Sequence, residues 1–573
     1  MPQVQPKLRK FFDYLQVRQR LVLCAFALLA IVNAYSIRLC LDFSLSRIAR
    51  DCNELAAVQL ENAPSTWRKA PKVNSDRAHG RYAANKVLAA INAFAAKFHS
   101  TANSPYASRN VREVRINQRA RAGHKEKPAR PTRQPRDRQT RQSRRLARNA
   151  PTPSYPRQKS GMSCETQMYQ HPRREPEPIT VTNSADIWTK EVQVLITISF
   201  YVGYMITHIP GGRLAERYGG KWILGASILS SGILTLLTPT IVRHGGPKSV
   251  MLLRMVIGLF EGPTFPAVSA MLAQWVPEKE RGRLCSSVLS AGEIGIIFMH
   301  LVSGFTIDEQ DWAVAFYVVG SGAILWFMGF VVVCYSKPDD SPYIQNSERE
   351  YIKSQVCETL ETEAGDANEA VPWSNMLMNA PIWALIASNM QHDWNQQEFA
   401  KELEQMLLDL EAKGKSYWNE LETSIRLMAP HLYSWLASLT SGSFSDYLIS
   451  EGILNRTQTR RLMSWLVFIS VTMYFIHDKE SSARPWSILA FGAYYAGIKL
   501  LPLDMSPNFA GTLMGITNGL GALPGLVLPV LEKLEEEYAI IGSIRATLWF
   551  ICAGYISGEV QSYNRLEPTA NRS

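Results

Sequence analysis

Three ionisable side chains, Arg38, Arg254 and Glu261, lie inside otherwise apolar stretches of this 573-residue chain. A charge in such a stretch is costly at membrane depth, so it normally faces a cavity or a partner. Arginine offers a permanent charge and a planar donor fork that suits a carboxylate or a phosphate. A carboxylate such as Glu261, between Phe260 and Gly262, can instead take up and release a proton. Arg254 and Glu261 are seven residues apart, two turns and about 10 Å along one helix face, so they can line one cavity without neutralising each other. His208, just before Pro210-Gly211-Gly212, and His392 titrate in the right range for proton work, although a lone histidine is more often structural. Asn518, among Gly515, Gly519 and Gly521, could coordinate a cation or join helices through hydrogen bonds, and Glu293 is a further candidate. The competing reading of Arg38 and Arg254 is that each snorkels to the interface from a helix end.

These residues need a membrane-spanning scaffold to place them. Mean hydropathy is −0.10, which hides a strong asymmetry along the chain. Residues 101–160 hold 17 bases and three acids, a local charge of +14, while the rest of the chain sums to −3. The basic character belongs to one segment, and a uniformly cationic nucleic-acid-binding protein is excluded. Outside it, apolar runs of about 20 residues recur. They predict spans near 20–41, 192–212, 222–241, 250–275, 284–307 and 313–336, then 376–393, 427–449, 462–476, 486–503, 510–531 and 539–557. The ninth is short, the twelfth is interrupted by Arg545, and the seventh runs into a charged stretch from Gln396 to Leu421. Basic loop residues (Lys7 to Arg20, Arg213 to Lys221, Lys279 to Arg283, Arg456 to Arg461) fall on one side, which places the N terminus in the cytoplasm. The eight cysteines show no disulfide or zinc spacing, and nothing has the pattern of a nucleotide loop or an activated nucleophile. The chain reads as a non-enzyme without a cofactor other than a coupling ion, Na⁺ or H⁺.

Gly212-Arg213-Leu214-Ala215-Glu216-Arg217-Tyr218-Gly219-Gly220-Lys221 closes the second span. Its glycines permit a tight turn and close backbone approach, and its charges can link adjacent helix ends. A fainter copy, Gly442 with Asp446, closes the eighth span 230 residues later. Equivalent signals in each half point to an internal duplication and a site between two bundles.

The first motif resembles the signature between spans 2 and 3 of the major facilitator superfamily. Further stretches are similar to its solute carrier 17 branch of organic-anion and phosphate transporters, and most of all to the insect inorganic phosphate cotransporters. They are Phe200-Tyr201-Val202-Gly203-Tyr204, Gly258-Leu259-Phe260-Glu261-Gly262-Pro263, Trp275-Val276-Pro277-Glu278, Val371-Pro372-Trp373, Asp504-Met505-Ser506-Pro507-Asn508-Phe509-Ala510-Gly511 and Ser557-Gly558-Glu559-Val560-Gln561. The resemblance covers about 20–50, 188–394 and 427–564. It implies an all-α membrane protein with the major facilitator fold, two six-helix bundles of about twelve transmembrane helices, some shortened, and a long disordered insertion after helix 1. It implies a symporter in the plasma membrane or a vesicular or lysosomal membrane, carrying a phosphate, glutamate, sialate or urate-like anion with Na⁺ or H⁺. Arg38 and Arg254 then match arginines of anion recognition, His392 a position where some relatives carry a functional basic residue, and Glu261 the acid of proton coupling. By their own chemistry His208 is a second proton-coupling candidate and Asn518 a cation-binding one, with packing the favoured role for Asn518. Gly212, Glu216, Arg217, Gly219, Lys221, Gly442 and Asp446 form the conformational motif.

The expected organisation is a cytoplasmic N terminus (1–19), helix 1 (20–50), an Arg-rich extracytoplasmic insertion (51–187), the rest of the N-terminal bundle (188–336), a cytoplasmic linker (337–375), the C-terminal bundle with an atypical 395–424 segment (376–557), and a cytoplasmic tail (558–573). The chain is expected to be a monomer in the lipid bilayer that meets a small anion and no nucleic acid. Rival readings are a membrane-inserted product that no longer transports, and an interaction protein using the arginine-rich segment. That segment lacks interleaved aromatics for base stacking. Too few apolar residues accompany its charges to build a core. Deleting residues 101–160 should therefore leave membrane insertion and topology unchanged, as read by protease protection; loss of insertion would contradict this.

Overall fold

The computed structural model describes residues 18–62, 188–307, 312–360, 371–412, 417–476, 491–531, 548, 551–561 and 564. Most of the expected insertion (63–187), the acids Asp308, Glu309 and Asp311, and most of the twelfth span lie outside the described residues. All regular structure among the described residues is helical. The N-terminal half comprises α1 (Gln19–Asn62), α2 (Lys190–Tyr218), α3 (Gly220–Glu261), α4 (Thr264–Trp275), α5 (Arg281–Leu289), α6 (Gly292–Ile307) and α7 (Ala313–Val333). The linker contains α8 (Asn346–Leu360). The second half comprises α9 (Trp373–Leu377), α10 (Ala380–Ala412), α11 (Tyr417–Ser450), α12 (Arg456–Ile476), α13 (Ala493–Gly497), α14 (Leu501–Met505), α15 (Ala510–Gly521) and α16 (Pro524–Leu531).

Six helical stretches among the described residues are long and apolar enough to cross a bilayer: Gln19–Asn53, Lys190–Tyr218, Gly220–Trp275, Glu278–Val302, Ala313–Val333 and Pro507–Pro529. The third of these, 56 residues long, would measure about 84 Å if straight, well beyond a hydrocarbon core of about 30 Å. It folds back at Gly246, whose φ of 67° and ψ of −177° break the helix ahead of Pro247. Ser227 Oγ donates to the Phe260 carbonyl at 2.5 Å and lies 2.8 Å from Thr264 Oγ1, so the two arms run side by side as spans 3 and 4.

Two boundaries differ from the sequence reading. Helix α1 does not end near residue 50 but continues to Asn62. Asn53 then exchanges two hydrogen bonds with the Trp188 backbone, at 3.0 and 3.3 Å. The chain leaves span 1 and re-enters span 2 at one place, which leaves the pairing of these spans independent of the length of what lies between. Helix α10 likewise runs without a break through the charged stretch to Ala412.

Glycines bring the spans of the N-terminal half into backbone contact. A Cβ on Gly203 would collide with the Met255 carbonyl, and one on Gly258 with the Phe200 carbonyl, so α2 and the second arm of α3 touch directly. Four breaks interrupt helices at membrane depth: at 262–263, 290–291, 498–500 and 522–523. Pro263, Pro502 and Pro524 cause three of them, because proline has no N–H to give the carbonyl four residues earlier. Leu501 and Leu523 supply replacement donors to Ile498 and Leu520 at 3.1 and 3.2 Å.

The basic loop residues gather at one end of the molecule, as the charge pattern predicts. Arg20 pairs with Glu280 at 3.0 Å and with Glu348 at 3.1 Å, Arg456 with Glu278 at 2.5 Å, and Asp504 with both Arg460 at 2.7 Å and Arg281 at 3.3 Å. The tail joins this end: Gly558 N–H donates to Thr457 Oγ1 at 3.2 Å and Gln561 N–H to the Met505 carbonyl at 3.0 Å. Asn455, in the formal sequon Asn455-Arg456-Thr457, caps α12 there by accepting from Gln458 N–H at 2.8 Å. It is expected to carry no glycan. A glycosidase-sensitive mass shift abolished by Asn455→Gln would reverse the orientation of the second half.

Candidate functional site

Arg38 occupies the middle of an aromatic cage. Its guanidinium carbon lies 4.6 Å from the Tyr204 ring centre, 4.9 Å from Phe200, 5.2 Å from Tyr35 and 5.9 Å from Tyr201. Rings around a guanidinium stabilise its charge without consuming it. Among the described residues no carboxylate forms an ion pair with it, and Nε has no hydrogen-bond partner. Arg254 behaves differently: one terminal nitrogen donates to the Arg38 carbonyl at 3.0 Å and the other binds Asp42 Oδ1. Its fork is used within the protein, tying α3 to α1 beside the cage. Glu261, wholly buried, has no hydrogen-bond donor on either carboxylate oxygen.

Four side chains from three elements continue the site into the second half. Lys499 Nζ can only donate, and it donates to Asn518 Oδ1 and, at 3.5 Å, to Asn389 Oδ1. The Asn518 amide is therefore fixed with Nδ2 pointing the other way, 2.8 Å from His208 Nε2 and 3.2 Å from the Tyr204 hydroxyl. The His208 ring nitrogen facing it must accept, so no proton sits there in this arrangement. Gly515 and Gly519 leave room for His208, since a Cβ on either would press on its carbonyl or ring. A continuous polar path thus runs from Arg38 over Tyr204 and Asn518 to Lys499, crossing from one bundle to the other.

His392 flanks the Lys499 end of this path, through Tyr494, whose hydroxyl shares Asn389 Oδ1 with Lys499. Its ring stacks on Tyr494 at 3.6 Å with planes 4° apart, and on Phe491 at 5.1 Å. On another part of the interface, Glu293 accepts from Gln396 at 3.0 Å, Ser434 at 3.2 Å and Tyr495 at 3.1 Å, and lies 2.7 Å from His431 Nδ1. Among the described residues no cluster of three or more His, Cys, Asp or Glu side chains is arranged to hold a metal ion.

The motif after span 2 braces the end at which the basic residues gather. Glu216 accepts from Thr512 N–H and from its hydroxyl, both at 2.6 Å, which caps the first turn of α15. Gly212 lets α2 approach so closely that a Cβ would strike the Gly511 carbonyl. Gly219, at φ 91°, makes the turn into α3. Lys221 lies 4.0 Å over Tyr335, with its N–H on Ser336 Oγ at 3.1 Å, and Arg217 packs over Tyr218 at 5.4 Å. The second copy does the same on the other side: Asp446 accepts from Gly282 and Arg283 N–H, both at 2.8 Å, capping α5, while Gly442 abuts the Gly282 carbonyl. Gly282 and Thr512, the residues being capped, are themselves 230 positions apart, like the two motifs. The duplication therefore extends to both partners of each brace.

Two helical halves joined by repeated braces, with buried charges along their seam, define a membrane transporter and not an enzyme. The description Major Facilitator Superfamily matches residues 178–529. Sialin of Homo sapiens is 31% identical over 395 residues, 66% of this chain and 77% of sialin. Vesicular glutamate transporter 2.2 of Danio rerio is 29% identical over 405 residues, 67% of each chain. A Drosophila ananassae protein named for inorganic phosphate cotransport is 29% identical over 402 residues, 66% of this chain and 81% of its own. The chain belongs to the major facilitator superfamily and is an integral membrane protein.

Sequence reading passed over Asp42, His431 and Lys499. Lys499 could have been found by the criterion that found Arg38, because it is a charge within the predicted tenth span. His431 met the same criterion within the predicted eighth span, whereas Asp42 fell one residue beyond the predicted first span and its importance depends on which helices meet.

Removing either capping carboxylate should loosen the cytoplasmic seam by about 1 kcal/mol, a roughly fivefold shift toward the open state. Ser290 and Ser438, whose hydroxyls are 2.6 Å apart across the α5–α11 seam, provide the reporter as a cysteine pair. Oxidative cross-linking of that pair should fall in Asp446→Ala; unchanged cross-linking would mean that the cap does not hold the seam.

Proposed function

We propose that this protein is a proton-coupled transporter of a small organic or inorganic anion, of the phosphate, glutamate, sialate or urate class. The observation that carries the reading is the pairing of a caged arginine that has no acid partner with a buried carboxylate that has no donor. Arg38 holds a charge that an incoming anion can satisfy. Glu261, beside the Pro263 break, has no hydrogen-bond donor but lies in the field of Arg38 and Arg254, so a proton bound there frees that positive charge for an anion. Proton entry at Glu261 and anion entry at Arg38 reduce the same electrostatic penalty, which makes the loaded state the one able to rearrange. Na⁺ coupling through Asn518 is the less favoured version, because the Asn518 oxygen already accepts from Lys499.

The proposed organisation is two six-helix bundles moving about the seam, with Arg254 and Asp42 keeping span 1 on span 4. The relatives named for glutamate and phosphate transport support the anion class. The rival reading of a chain that no longer transports is decided by uptake itself. In proteoliposomes, phosphate, glutamate, sialate and urate are offered with and without Na⁺ and with an imposed pH gradient. Arg38→Lys should weaken affinity for the transported anion at least tenfold, since about 1.5–3 kcal/mol rests on a charged hydrogen-bonding fork. Glu261→Gln should retain exchange but lose accumulation and flatten the pH dependence. Concentrative uptake by Glu261→Gln with wild-type pH dependence would overturn the coupling role.

A further inference from the structure

Lys499 lies at the break of the tenth span, between α13 and α14, where residues 498–500 form a turn ahead of Pro502. Irregular backbone at membrane depth is tolerated where it is buried in protein or lines a cavity, and broken helices mark the sites of many transporters. The side chain is 5% exposed. Both of its hydrogen-bond acceptors, Asn518 and Asn389, are neutral amides, and among the described residues it forms no ion pair. Its ammonium also lies 5.0 Å from the Phe265 ring in α4, so it reaches from the C-terminal bundle to the N-terminal one.

A buried ammonium hydrogen-bonded only to neutral oxygens has been desolvated without an ion-pair partner, and the field of the Asp393 carboxylate reaches it only from beyond salt-bridge distance. Arg38, at the other end of the Tyr204–Asn518 path, is in the same condition. One seam therefore contains two desolvated cations, one from each bundle, each without a counter-charge in salt-bridge range. His392, which resemblance would make the basic group of the second half, is engaged face to face with Tyr494. We propose that Lys499 is a second cationic ligand of the transported anion, acting from the C-terminal bundle opposite Arg38, and that the preferred substrates are small dianions.

This rests on the anion-transport reading and sharpens it. A dianion that touches both cations links the bundles, whereas a monoanion satisfies one cation and leaves the other desolvated. Lys499 is then the residue that selects by charge number. If it were only a strap to Asn518, its loss would weaken the fold or slow transport equally for every anion.

The test uses the purified full-length chain in detergent at constant ionic strength. Affinities for inorganic phosphate, succinate, glutamate and butyrate are read from the thermal shift, and uptake of the same anions is measured in proteoliposomes. Wild type should bind succinate or phosphate more tightly than butyrate. Lys499→Gln should lose at least tenfold in dianion affinity with little change for butyrate, and Lys499→Arg should recover most of that loss. Lys499→Met, which keeps the apolar stem, replaces the Gln variant if the latter does not fold. Equal weakening for all anions, or unchanged dianion affinity in Lys499→Gln and Lys499→Met, would overturn the role of Lys499 while leaving anion transport standing. A wild-type chain that neither binds nor takes up any of these anions would overturn the transport reading and this inference with it.

Discussion

Hydrocarbon cannot solvate an unpaired polar group, and this constraint governs where each break and each charge in the protein can lie. Lipid offers no replacement for a backbone hydrogen bond lost to proline, so the breaks at Pro263, Pro502 and Pro524 must lie inside the protein. Glu261, Lys499 and Asn518 all lie within six residues of one of these prolines. The break at 290–291 has Glu293 just beyond it. Backbone irregularity and side-chain charge share the same interior surface because neither is tolerable anywhere else. That surface is the seam between the bundles, where an anion can be met by both halves.

The end where the basic residues gather follows from a different balance. Two carboxylates, Glu216 and Asp446, each cap a helix of the opposite half, and glycines at Gly212 and Gly442 permit the close approach. Each brace is a few hydrogen bonds at a wet edge, strong enough to set a preference and weak enough to be broken by a modest change in binding energy. In the proposed mechanism the core charges hold the anion and the edge braces hold the conformation, and alternating access requires the first to influence the second. The polar path from Arg38 through Tyr204 and Asn518 to Lys499 is the structural element that spans both halves.

Much of this was legible in the sequence, for identifiable reasons. Apolar runs gave the spans because the bilayer fixes their length, and the 230-residue echo gave the duplication because the braces need glycine and acid at fixed spacing. Arg38 and Glu261 stood out as charges in apolar surroundings. What could not be read was partnership. Arg254 looks equivalent to Arg38 along the chain, yet Asp42 on the first helix takes its fork, which depends on how α1 and α3 pack and not on where either residue stands in the sequence. The extension of α1 to Asn62 was missed because polar residues there mark the end of the apolar run, not the end of the helix. The stacking of His392 on Tyr494 was likewise not readable, because it depends on a broken helix about 100 residues away.

The most direct measurement of the central claim is anion uptake into liposomes containing only this protein, with an inward proton gradient imposed and no Na⁺ present. The account predicts accumulation of a small anion above its external concentration, collapsing when a protonophore dissipates the gradient. Anion uptake that equilibrates without accumulating, or that is indifferent to the gradient, would contradict it.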